Sequence, residues 1–164
     1  MPAGLNAGPV TSEIPHDLVH FTVEDALGMT DGIWGSIAGG VVFDSMTHVS
    51  GRRPPHAAER SALLMRHYSR RLNRAELLGG FLEAAAHRPD AELPRLAAQG
   101  LPDHLDVPDP AALARAVAAL REVEHRWQSL AVGQHLVLHW PGRRRIDDSP
   151  ARPRRVRTGA RRRR

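Results

Sequence analysis

Apolar residues recur every three or four positions through most of this chain, and that rhythm changes only near residue 134. Val19, Val23, Ala26 and Leu27 share one arc of a helix predicted to start at Pro15. The fixed φ of proline suits a first turn, Asp17 suits the positive end of the helix dipole, and Gly28 suits the C′ position. Thr30 is placed to cap a second helix carrying Gly32, Gly35, Gly39 and Gly40 within "DGIWGSIAGGVVFD". Each interior glycine costs a helix about 1 kcal/mol relative to alanine, so close helix–helix contact has to offset the loss. The first two elements are therefore expected to form a tight αα-hairpin.

After the loop "SGRRPPH", a third helix is predicted near 56–72, with Ala58, Ala62, Met65, Tyr68 and Leu72 as its core stripe. A fourth follows Asn73 and runs about 74–87, carrying Leu77, Leu78, Phe81 and Leu82. Asp90 can cap a short helix that stops at Gly100, and "LPDHLDVPDP" reads as a connector. Asp109 followed by Pro110 is a start signal for a long helix reaching about Leu130. Its stripe is Leu113, Val117, Leu120, Val123 and Trp127.

From Gln134 to Trp140 the period becomes two, with Leu136, Leu138 and Trp140 on one face, the pattern of a half-buried strand. A lone strand leaves its backbone unsatisfied, so Val10–Glu13, Phe43–Val49 or a second copy of the chain is expected to pair with it. The fold class expected is α+β, mainly α: a flexible N-terminus over 1–8, a single helical domain over 9–141 and a disordered arginine-rich tail over 142–164.

Composition sharpens this picture. The chain has 164 residues, room for one domain with a real core. It has no cysteine, which excludes disulfides, thiolate metal sites and cysteine nucleophiles. The longest uncharged apolar run, Gly32 to Phe43, is 12 residues, too short to cross a bilayer. With no basic-then-apolar leader, a cytoplasmic protein without membrane contact is expected. All 23 basic residues are arginine, as codon bias alone can produce. Residues 141–164 hold 11 of them against Asp147 and Asp148, a net +9, whereas residues 1–140 set 12 arginines against 16 acids, a net −4. The tail could attract nucleic acid or another polyanion, although it lacks an aromatic residue for base stacking.

Candidate chemistry centres on "EIPHDLVHFTVEDALG". His16, His20 and Glu24 stand four residues apart, within about 80° of one another on a helical wheel. Imidazoles one turn apart can share zinc or iron, with a carboxylate as a further ligand. Three residues over two turns seldom reach one ion, so the pair His16–His20, or His20–Glu24, would need a partner from another helix. His56, Glu59, His67, Glu83 and His87 are the candidates. The pattern is not H-E-x-x-H, because Asp17 follows the first histidine. The competing reading makes His20 and Glu24 the polar shoulder of a packed helix. His135 and His139 on the predicted strand would stand about 13 Å apart, too far to share an ion. There is no G-x-S-x-G, P-loop or G-x-G-x-x-G motif, and "GSIAGG" reads as buried helix.

The segments "PHDLVHFTVEDALGMTDGIWGSIAGG" and "RWQSLAVGQHLVLHWP" resemble a group of small actinobacterial proteins of uncharacterised activity. These share a P-H-D-L-x-H-x-x-x-E opening and a W-x-x-L-x-x-G-x-x-L-x-L-x-W-P ending. The resemblance implies a compact intracellular domain with a short strand before the first motif, and leaves the arginine tail outside. Taken together, the sequence favours a non-catalytic binding or accessory domain with a candidate metal or small-ligand site on the first helix. Its rivals are a metal-dependent enzyme using His16, His20 and Glu24, a polyanion-binding protein acting through the tail, and a homodimer through the C-terminal strand.

Overall fold

The structure is a computed structural model that describes residues 14–43, 46 and 56–146. Among these residues it is helical: α1 (His16–Ala26), α2 (Ile33–Ala38), α3 (Ala57–His67), α4 (Ser69–Ala86), α5 (Leu93–Gly100) and α6 (Pro110–Gln128), with a 3-10 turn at Asp90–Glu92 before α5. The segments 1–8 and Val10–Glu13, most of the 50–56 loop and the tail beyond Ile146 lie outside the described residues.

The capping signals place α1 and α6. Pro15 precedes α1 in extended conformation, and Gly28 follows it with φ +67°, the left-handed region that glycine enters without strain. At α6, Asp109 Oδ1 accepts the Ala112 N–H at 2.8 Å, a side-chain N-cap. Helix α1 is central: every residue from Leu18 to Glu24 is buried, because α4, α6 and α2 all pack against it. Val19 and Val23 meet Leu78 and Leu82 of α4 and Leu113, Ala116, Val117 and Leu120 of α6 in the main core. Each fully buried leucine there contributes about 1.5–3 kcal/mol of transfer free energy. The C-terminus of α4 is closed by α6, where Arg121 donates to the carbonyls of Ala86 at 2.8 Å and Arg88 at 2.6 Å.

Three expectations are corrected. The break between α3 and α4 falls at Tyr68 instead of Asn73, with the Tyr68 ring buried beside Val41, Leu64 and Ile146 in a second cluster. The buried line of α3 is Ala57, Ser61 and Leu64, one position away from the apolar stripe. Ser61 is inside because its hydroxyl bridges the Val42 backbone, accepting its N–H at 2.9 Å and donating to its carbonyl at 2.8 Å. Apolar patterning cannot register such a residue.

The third correction concerns residues 134–140, which form no strand among the described residues. Burial does alternate, with Leu136, Leu138 and Trp140 half-buried and His135, Val137 and His139 exposed. An extended segment laid over helices gives that alternation without a β-ladder. It ends in contacts that draw the start of the tail into the body. Arg144 donates to the carbonyl and carboxylate of Asp25, and Ile146, 3% exposed, donates its N–H to the Gly35 carbonyl at 3.1 Å. No helix among the described residues is long and apolar enough to cross a membrane.

Candidate metal centre

The four-residue spacing on α1 places the His16 and His20 rings one above the other, 4.4 Å between centroids. Their Nε2 atoms approach to 3.2 Å. A third donor comes from α4: Glu76 Oε2 lies 3.3 Å from His20 Nε2 and 3.6 Å from His16 Nε2. Bonds of about 2.1 Å to one ion would separate neighbouring donors by about 3.0 Å in an octahedron and about 3.4 Å in a tetrahedron. Two of the observed separations, 3.2 and 3.3 Å, fall within this range, and the third, 3.6 Å, lies about 0.2 Å beyond it. His16, His20 and Glu76 form the one group of this kind among the described residues.

Gly79 sets the approach of α4. It follows Glu76 by one turn on the same helix face, and a Cβ there would stand 2.8 Å from His20 Cε1 and 3.2 Å from both ring nitrogens. A mid-helix glycine, which sacrifices about 1 kcal/mol of propensity, thus provides the seat for the imidazole. Accessibility is one-sided. The His20 side chain is 2% exposed, whereas His16 and Glu76 are 65% and 52% exposed, so the donors face solvent across one open side.

Glu24 stands on the other side of the His20 ring and has different work. Fully buried, it accepts the Ile33 N–H at 2.8 Å through Oε1 and the Trp34 N–H at 3.0 Å through Oε2, capping α2 from a distance. Thr30, expected as that cap, accepts no hydrogen bond from it: α2 begins after Gly32 with no side-chain cap from its own flank. Gly32 is required by the arrangement, because a Cβ there would fall 2.4 Å from the Glu24 carboxyl carbon. Glu24 Oε1 also lies 3.7 Å from His20 Nδ1, an ion-pair distance longer than a hydrogen bond. His20 Nδ1 is buried and has no hydrogen-bond partner among the described residues. Burial pushes the His20 pKa down, but its contacts with Glu24 and Glu76 outweigh burial and leave it raised above the ordinary histidine value.

Trp34 links the two flanks of the site. Its backbone N–H is on Glu24, and its indole N–H donates to the Asp17 carbonyl, beside His16, at 3.2 Å. Phe21 and Trp140 enclose that indole, with ring centroids 5.1 and 6.4 Å away.

The remaining candidates are not brought to these donors. His67 packs edge-on against Tyr68, and His56 pairs with Glu59 at 3.1 Å on the surface. His87 lies 4.0 Å from Glu124 of α6 at the far end of α4, where Glu83 and His87 line a small recess with Ile14 and Leu120. Glu76 was not singled out from the sequence. The available signal was the Gly79–Gly80 pair in an otherwise regular helix, which marks a close approach, with a carboxylate one turn before it.

Two imidazoles and one carboxylate form a borderline N2O donor set suited to Zn2+, Fe2+ and neighbouring divalent ions. No protein-family model, curated protein or solved structure matches the chain.

Proposed function

We propose that this protein binds a divalent transition-metal ion, zinc or iron, through His16 Nε2, His20 Nε2 and Glu76 Oε2. The observation that carries the reading is the convergence of three donor atoms from two helices at 3.2, 3.3 and 3.6 Å. One of the imidazoles, His20, is buried and seated against a glycine, so that donor is pre-positioned for the other two. Protons would compete with the ion for His20, since an imidazole coordinates only in its neutral form. Three protein donors leave at least one coordination position toward solvent, available to water or a small ligand. The activity assigned is binding, with no reaction attached.

The test is titration of the metal-stripped protein with Zn2+, and anaerobically with Fe2+, alongside His16→Ala and Glu76→Gln. The expected result is about one equivalent bound by the unaltered protein and at least about tenfold weaker binding by each variant, since even outer-shell groups are worth that much. Binding below about a tenth of an equivalent, or variants that bind like the parent, would sink the reading.

A further inference from the structure

Coordination through His20 Nε2 leaves the other nitrogen of that ring unexplained. His20 Nδ1 is enclosed and has no hydrogen-bond partner among the described residues, although a buried ring nitrogen seldom goes unpaired. If Nε2 carries the ion, the neutral imidazole must carry its proton on Nδ1, and a buried N–H donor without an acceptor loses its hydration with nothing in return. The acceptor beside it is Glu24 Oε1, at 3.7 Å. Glu24 is itself held in place by the N–H groups of Ile33 and Trp34, and Gly32 leaves the space that lets its carboxylate come so close.

Resting on the metal reading above, we propose that Glu24 is the positioning carboxylate of the site: it accepts the Nδ1–H of metal-bound His20 and couples occupancy of the ion to the docking of α2. Closing the contact from 3.7 Å to a hydrogen bond of about 2.9 Å takes a movement of under about 1 Å. That hydrogen bond fixes the tautomer and holds the Nε2 lone pair toward His16 and Glu76, as outer-shell carboxylates do for ligating histidines. The same carboxylate would then serve three donors: the Ile33 and Trp34 amides and the His20 ring. No neutral isostere can do this. A glutamine at position 24 has a single acceptor oxygen, so its NH2 must face either an α2 amide or the His20 Nδ1–H, donor against donor. Helix α2 and the buried Trp34 are thereby coupled to an ion that neither touches.

The experiment measures Zn2+ affinity by competition with a chromophoric chelator for the parent, Glu24→Gln, His16→Ala and Glu76→Gln, each checked for folding by circular dichroism. Alongside, long-range 1H–15N correlation on the zinc-loaded parent reports which His20 nitrogen holds the proton. Glu24→Gln is expected to weaken binding about 10- to 100-fold. In the loaded parent, Nδ1 is expected to carry a slowly exchanging, downfield proton, and the Ile33 and Trp34 amides to shift on loading. A folded Glu24→Gln protein that binds zinc within about twofold of the parent would overturn the positioning role. So would coordination through Nδ1. Should Glu24→Gln fail to fold, the tautomer measurement on the parent decides alone. If the parent binds no zinc, or the His16 and Glu76 variants bind as it does, the metal reading falls and the positioning role with it. If only Glu24→Gln is silent, the site stands and this inference alone fails.

Discussion

Gly79→Ala and Gly80→Ala are chemically identical changes at adjacent positions of one helix, and the structure predicts opposite outcomes. At a helix interior the exchange gains about 1 kcal/mol of propensity. Nothing lies within 4 Å of a Cβ built at Gly80, so Gly80→Ala should show most of that gain. At Gly79 the new methyl would sit 2.8 Å from His20 Cε1, whereas carbon atoms ordinarily approach to about 3.5 Å. The ring must therefore retreat by about 0.7 Å or the helices separate, at an overpacking cost of about 1–3 kcal/mol. Set against the propensity gain, Gly79→Ala should be destabilising by about 0–2 kcal/mol. Its larger effect is on the ion. Metal–ligand distances tolerate only about 0.2 Å, so moving Nε2 away from Glu76 should weaken zinc binding more than tenfold. Urea denaturation of the metal-free proteins and zinc competition on the folded ones measure the two effects. If both alanines stabilise the protein equally and leave zinc affinity unchanged, Gly79 does not seat His20 and the donor cluster is incidental.

Other consequences are simpler to read. Because the folded-state pKa of His20 is raised, its contribution to stability is fully present below the unfolded value of about 6.5 and is lost as pH rises through the folded one. The melting-temperature advantage of the metal-free parent over His20→Gln should therefore shrink from pH 6 to pH 9, and an advantage that grows would contradict the Glu24 and Glu76 pairing. Metal affinity runs the other way, falling by up to about tenfold per pH unit below that pKa as protons compete for Nε2. Asp109→Ala removes the one side-chain cap of α6 and should cost about 1 kcal/mol in urea denaturation, while Asp109→Asn should retain most of it.

Local signals made part of this molecule legible. Pro15, Gly28 and the Asp109–Pro110 pair delimit α1 and α6 because caps act within a few residues of the ends they close. The glycine-rich second helix was legible as a close-packing element, yet it spans only Ile33–Ala38 and its cap comes from Glu24, nine residues before Ile33. Alternation over 134–140 was legible as one-sided burial but not as the absence of a ladder, since both an edge strand and an extended strap over helices bury every second residue. At the site, spacing alone gave the His16–His20 pair. Glu76 was out of reach because its meeting with α1 depends on which turn of α4 crosses that helix, and the buried seat at Gly79 decides that. The same geometry puts His20 and Glu24 in the centre of the fold, although the helical wheel drew them at its polar edge.

X-ray absorption at the metal edge of the zinc-loaded protein tests the metal centre most directly, because it counts ligands by type without any substitution. Two imidazole nitrogens and a carboxylate oxygen at about 2.0–2.1 Å, completed by one or more water-like oxygens, are the predicted shell. A shell showing no imidazole scattering, or a single imidazole among oxygens, would contradict a centre built from His16, His20 and Glu76.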